Sequence, residues 1–220
     1  MSNTILITGA NRGIGLEMAR QLRARDDEVI AVCRKASAEL EELGCRVIAG
    51  IDVSDDDTVG RLARGLEGTA LDVVVNNAGI LEPDSLETIE FDSMRRQFEV
   101  NTLGPLRVAR ATLPNLRNGG KLVIISSRVG SLADNGSGRY YGYRSSKTAV
   151  NMIGVNLALD LRDRGIAVLL LHPGMVSTDM TGHNGIPAAE SAAGLIERID
   201  SLGLAESGSF WHANGEPLPW

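Results

Sequence analysis

Short, almost wholly apolar runs punctuate the chain at Thr4-Ile5-Leu6-Ile7-Thr8, Glu28-Val29-Ile30-Ala31-Val32-Cys33, Arg46-Val47-Ile48-Ala49, Leu71-Asp72-Val73-Val74-Val75-Asn76, Lys121-Leu122-Val123-Ile124-Ile125 and Ala167-Val168-Leu169-Leu170-Leu171. They are rich in β-branched residues and lack the in–out alternation of a sheet with one wet face. Each is therefore predicted to be a parallel strand covered on both sides. Between them apolar residues return at helical spacing, as in Ile14, Met18 and Leu22, or Phe98, Leu103 and Leu106. A capped helix is predicted from Ser54, with Asp55, Asp56 and Asp57 in the first turn, where the helix dipole favours acids. A long helical pattern runs from Tyr143 to about Arg164. Strands alternating with helices throughout predict an α/β fold, a doubly wound, mostly parallel sheet with helices on both faces.

The polar clusters fall where such a sheet binds ligands, beyond the carboxyl ends of its strands. The first strand runs into Gly9-Ala10-Asn11-Arg12-Gly13-Ile14-Gly15 and a helix follows at once. Strand, glycine-rich turn and helix together present backbone N–H groups and a helix N-terminus to a phosphate. The spacing differs from the usual G-x-G-x-x-G of dinucleotide sites. After the second strand, where an NAD site places an acid for the ribose 2′-hydroxyl, stand Cys33-Arg34-Lys35. With Arg12 in the turn, two guanidinium groups are available to a 2′-phosphate, which favours NADP over NAD. The fourth strand leads into Asn77-Ala78-Gly79, the fifth ends at Ser126-Ser127, and the sixth at His172-Pro173-Gly174.

Tyr143 and Lys147 stand one helical turn apart and face the same way. A phenol titrates near pH ~10, and an ammonium beside it is expected to lower that value, making Tyr143 an acid–base group near neutrality.

Bulk properties narrow the choice of partner. At 220 residues and 43% hydrophobic, the chain suits one buried domain. A net charge of −6 argues against nucleic acid or an anionic membrane. No apolar run reaches the ~20 residues that span a bilayer, and the start lacks a signal peptide's pattern; a cytoplasmic protein is expected. Cys33 and Cys45 suit neither a disulfide framework nor a zinc site, so no metal is expected.

Taken in order, these motifs resemble the short-chain dehydrogenase/reductase family over nearly the whole chain. The family's Thr-Gly-x-x-x-Gly-x-Gly turn falls on Thr8 to Gly15, and its Asn-Asn-Ala-Gly element on Asn76 to Gly79. Its Tyr-x-x-x-Lys falls on Tyr143 and Lys147, and its Pro-Gly-x-Val-x-Thr on Pro173 to Thr178. Ser-Ser-x-x-Gly-Ser, Tyr-Arg-x-Ser-Lys and the Pro-Trp ending are similar to a small carbonyl-reductase-like, C-signal-like branch. The resemblance implies a single NADP-binding Rossmann domain over residues 1–220, with a short substrate-loop region at about 175–205. It implies NADPH-dependent hydride transfer to or from a carbonyl or alcohol carbon of a small molecule. Asn101, Ser127, Tyr143 and Lys147 would be catalytic. Gly9, Asn11, Arg12, Gly13, Ile14, Gly15, Arg34, Asp52, Val53, Asn77, Ala78, Gly79, Tyr143, Lys147, Pro173, Gly174, Val176 and Thr178 would hold the cofactor.

Several points stay open in the sequence. Ser127 and Tyr143 lie farther apart than in many members, which leaves Ser126 as an alternative. Asn101 is read as holding a water that links Lys147 to solvent. A homodimer, an NADP-binding regulator without turnover, and an epimerase or dehydratase on the same scaffold are the further readings. The Pro217-Leu218-Pro219-Trp220 end would serve an interface or close the chain's own core.

Overall fold

The computed structural model describes residues 2–220. Strands β1 (Thr4–Thr8), β2 (Glu28–Val32), β3 (Arg46–Ile48), β4 (Leu71–Asn76), β5 (Leu116–Ile125), β6 (Ala167–His172) and β7 (Phe210–His212) form one parallel sheet. Their order is β3-β2-β1-β4-β5-β6-β7, so the strand order reverses between β1 and β4. The six expected strands are present. The seventh, three residues long, escaped the sequence pattern because Trp211 and His212 carry no apolar run around them. β5 begins earlier than Lys121, through a Leu71–Leu116 pairing followed by a register shift.

Strand alternation sorts the core into two layers. Ile5, Ile7, Val73, Val75, Val123, Ile125, Leu169 and Leu171 pack with helices α1 (Gly13–Ala24) and α7 (Ala188–Ser201). Leu6, Val74, Leu122, Ile124 and Val168 face the other way, towards α3 (Asp56–Gly65), α5 (Gly104–Thr112) and α6 (Tyr141–Asp160). The short α2 (Ala38–Glu42) buries Leu40 in the first layer.

Two helix boundaries differ from expectation for local reasons. The cap of α3 is Asp55, whose carboxylate accepts the N–H groups of Asp57 and Thr58. Ser54 does not cap it, because its hydroxyl donates instead to Asp52 (2.6 Å). The helical stretch bearing Asn101 is not uniform: α4 (Phe91–Phe98) widens into a π-helical turn over Glu99–Leu103 before α5. Pro105 supplies the cause. It has no N–H and its ring would strike the carbonyl four residues earlier, that of Asn101 itself. The extra residue in the turn relieves that clash.

The long α6 lies flat on β6 at Gly154, where an added Cβ would come within 2.7 Å of Leu170 Cδ2. Removing a helix glycine is favourable by up to about 1 kcal/mol, yet overpacking a full core costs about 1–3 kcal/mol. Gly154→Val is expected to lower stability by about 2 kcal/mol in urea unfolding. An unchanged or raised midpoint would show that α6 and β6 are not in this close contact.

Candidate active site

The reversal between β1 and β4 opens a cleft of about 820 Å³ at the carboxyl edge of the sheet. Thr8 and Asn77 join the two strand ends across it. Thr8 Oγ1 accepts the N–H groups of Asn77 (3.0 Å) and Ala78 (3.1 Å), and Asn77 Nδ2 donates to Thr8 O (2.9 Å). Gly9 follows with φ 66°, and a Cβ there would sit 3.0 Å from Ala78 Cα. At Gly15 a Cβ would come 2.5 Å from both Asn77 Nδ2 and Gly9 O. These glycines let the turn close tightly under the mouth of the cleft. No side chain caps α1, whose N-terminus starts there, so its first amides are left for a ligand.

Gly9, Asn11, Arg12, Gly13, Ile14, Arg34, Asp52, Val53, Asn77, Ala78, Gly79, Tyr143, Lys147, Pro173 and Thr178 all line this one cleft. Gly15, Gly174 and Val176 stand outside its wall: Gly15 packs beneath the turn, Val176 is buried, and Gly174 (φ 87°) packs against His212. Sequence reasoning missed Ile80, Leu81, Ser177, Asp179 and His183, which also line it; loops bring them in, and no periodic pattern marks loops. The strand order puts Arg34, after β2, three strand spacings from the end of β5, about 14 Å. Asp52 is pushed up by burial, but hydrogen bonds from Ser54 and the charge of Arg34 outweigh this and hold its carboxyl low. Arg12 pairs with Asp179 across the mouth (2.9 Å), both side chains about two-thirds exposed; such an exposed pair contributes little, so the guanidinium can change partner.

At the other end, Ser127 stands near enough to the Tyr143 phenol to lower its pKa but is not among the residues lining the cleft, whereas Ser126 lines it and bonds Asn151 Oδ1 (2.5 Å). The turn Arg128–Gly130 then returns the chain onto α6, where an added Cβ on Gly130 would meet the Lys147 backbone at 2.8 Å. Asn101 lies behind the cleft wall, buried. Its amide accepts from Ile80 N (2.9 Å) and donates to Ile80 O (2.9 Å) and Ser146 Oγ (3.1 Å). It thereby ties the segment after β4 to α6.

The electrostatics correct one expectation. Burial pushes the Tyr143 phenol up to about 12, against the lowering effect of Ser127. Burial pushes Lys147 down to about 8. Its Nζ donates to Ile125 O (2.9 Å) and lies 5.8 Å from the phenol ring centre. The lysine does not lower the phenol's pKa here, because desolvation dominates and its ammonium is turned to a carbonyl. His172 meets His212 edge to face, with ring centres 4.8 Å apart. Burial first, then His212, Arg128 and Lys147, push it down to about 3, so it stays neutral.

Comparison with known proteins agrees with this geometry. The short chain dehydrogenase family profile matches residues 3–186. The chain belongs to the short-chain dehydrogenase family. It is 45% identical over 99% of its length to a 1-hydroxy-2-glutathionyl-2-methyl-3-butene dehydrogenase of Rhodococcus sp. (strain AD45), covering all of that protein. It is 43% identical to C-signal of Myxococcus xanthus, over 68% of this chain and 93% of that one. An NADPH-bound carbonyl reductase from chicken fatty liver superimposes with a TM-score of 0.92 at 29% identity, over 100% of this chain and 99% of the other. The fold of this family member is thus the Rossmann type, and its chemistry is that of an oxidoreductase. Among the described residues no helix is long and apolar enough to cross a membrane.

The buried lysine has a consequence for stability. Below pH ~8 it is charged in both folded and unfolded states and its burial is unfavourable. Between about pH 8 and ~10.4 the folded protein releases the proton while the unfolded chain keeps it, so stability rises with pH. Relative to Lys147→Met, the wild type should gain about 3 kcal/mol over that window, read from denaturant unfolding at successive pH values. Parallel pH profiles for the two proteins would place the ammonium in water.

Proposed function

We propose that the chain is an NADPH-dependent carbonyl reductase or alcohol dehydrogenase acting on a small molecule, with Tyr143 as its acid–base group. The observation that carries this reading is the pairing of a buried phenol, close to Ser127, with a buried lysine at one end of a cleft that has Arg34 and Asp52 at the other. NADPH, when bound, supplies the hydride. The uncapped start of α1 and the glycine turn suit its pyrophosphate, and Arg34, with Arg12 released from Asp179, suits a 2′-phosphate. Asp52 and Val53 would meet the adenosine, Asn77 to Gly79 the middle of the cofactor, and Pro173 and Thr178 its nicotinamide end.

The protein's own groups do the rest of the work. Held neutral by burial, Tyr143 is a phenol and not a phenolate at pH 7, the state a reduction requires. Its hydroxyl donates a proton to the developing alkoxide, which is far more basic than a phenolate. The Ser127 hydroxyl hydrogen-bonds the same oxygen as its charge grows. Lys147, fixed by Ile125 O, would hold the ribose hydroxyls at the cofactor's nicotinamide end.

The substrate is read as a carbonyl or alcohol in a partly apolar setting; the Rhodococcus relative's name adds a glutathionyl alcohol to the candidates. The chain is read as one domain over 1–220 in the cytoplasm, with the sheet supplying both core layers. A homodimer is proposed on the exposed apolar residues Leu103 in the π-helical turn, Leu106 on α5, and Met152 and Leu159 on α6.

The deciding experiment follows NADPH consumption against a panel of reactive carbonyls, and NADP reduction with a glutathionyl alcohol. Tyr143→Phe should lower kcat by about 10²–10⁴-fold. Tight NADPH binding without turnover on any member of the panel would overturn the reductase in favour of a regulator. For the cofactor, Arg34→Ala should raise the KM for NADPH by about ten- to hundredfold, the equivalent of one charge-assisted contact, and leave that for NADH nearly unchanged. Equal effects on both cofactors would remove Arg34 from phosphate recognition.

A further inference from the structure

Helix α6, which carries Tyr143, starts without a cap from its own sequence. Tyr140 stands at the capping position and its side chain makes no capping bond. Arg139 and Tyr140 both hold left-handed backbone, with φ of 58° and 52°, a conformation that residues with side chains keep only where their surroundings impose it.

What imposes it is Asp84, 57 positions before Tyr141. Its backbone carbonyl accepts the N–H of Tyr140 at 3.0 Å. One carboxylate oxygen accepts the N–H of Tyr141, and the other accepts the N–H of Gly142 at 3.0 Å. Three successive amides are thus taken by one residue, and the next residue in the chain is Tyr143. A carboxylate suits the place, since it meets the positive end of the helix and its bonds to N–H groups are charge-assisted.

The segment bearing Asp84 is itself held firmly. Asn101 grips Ile80 through both its amide atoms. Gln97 accepts from Glu82 N and donates to Glu82 O, and Arg96 pairs with the Glu82 carboxylate at 2.7 Å. On the α6 side the fit leaves no slack: an added Cβ on Gly142 would lie 2.6 Å from Gln97 Nε2 and 3.3 Å from Asp84 Oδ2. The position of the helix start is therefore transmitted from α4 and the π turn through this segment, not set by the residues just before the helix.

We propose that Asp84 is a positioning residue for Tyr143, a cap supplied from the segment between β4 and α4 that fixes the height and direction of the phenol. The proposal rests on the reading of Tyr143 as the proton donor. Without the carboxylate, two helix amides lose their acceptor and the two left-handed residues are free to relax. Tyr143 would move with them, and a shift of a fraction of an ångström is enough to spoil alignment for proton transfer.

The test compares the full-length wild type with Asp84→Ala and Asp84→Asn, using NADPH and 9,10-phenanthrenequinone as the probe pair. Asp84→Ala should lower kcat by about 10- to 100-fold with the Kd for NADPH within about twofold. Asp84→Asn retains a side-chain acceptor and should recover part of the loss; it also carries the comparison if the alanine variant does not fold. Amide exchange should accelerate in Asp84→Ala at Tyr141 and Gly142, while β4, β5 and β6 keep their protection. A kcat within twofold of wild type for Asp84→Ala, or a fall in a folded variant that is matched by an equal loss of NADPH binding, overturns the proposal. If the wild type reduces no carbonyl, the functional reading fails by itself. The cap is then judged by exchange and by Tyr143 ionisation, titrated against Tyr143→Phe, and an unshifted phenol in Asp84→Ala sinks it.

Discussion

An amine and a phenol buried side by side are costly to keep away from water, and much of this molecule is arranged around holding them there. Lys147 has exchanged its hydration for a hydrogen bond to the Ile125 carbonyl. Such a bond helps only if the carbonyl cannot move, because a buried charge without a partner costs several kcal/mol. Ile125 is the last residue of β5, a central strand bonded on both sides, and a strand end of that kind is among the stiffer places in a fold. The turn after Ser127 presses on the Lys147 backbone from above, and Thr148 Oγ1 bonds Gly130 O at 2.9 Å. Sheet, turn and helix each limit the freedom of the same side chain.

The same constraint explains why the helix opposite is irregular. A regular α-helix through residues 99–103 would put the Asn101 carbonyl against the Pro105 ring. The π turn removes that clash and at the same time frees the Asn101 side chain to bridge Ile80 and Ser146. Irregular helical turns of this sort are frequent at functional sites, and here the reason is local. Widening the turn lets one side chain bond to two separate parts of the site.

Much of this was legible beforehand, and the residues show why. Five of the six apolar runs became central strands, because a parallel sheet covered on both faces leaves few alternatives to β-branched residues; the sixth, β3, is the half-exposed edge and not the covered strand expected. The clustering of Gly9, Asn77 and Tyr143 in one cleft followed from their places at the carboxyl ends of strands or at the start of the next helix. Three things were hidden. The pKa values of Tyr143 and Lys147 depend on depth of burial, which i,i+4 spacing does not encode, so the expected lowering of the phenol was wrong in sign. The placement of Ser126 against Ser127 is set by the turn after β5, where the chain has left the strand and no alternation applies. The loop walls, such as Asp179 and His183, carry no periodic signal at all.

The order of the strands has a consequence for how the protein is made. β2 pairs with β1, β3 with β2, β4 with β1, β5 with β4, β6 with β5 and β7 with β6. Each strand leaving the ribosome therefore finds its partner already synthesised, and none must be inserted between two that have joined. The sheet can grow outward from β1 in the order of translation, first to one side and then to the other. Chains folding during synthesis expose unpaired edges that invite aggregation; in this topology one of the two edges open at each stage is the one that the next strand will cover.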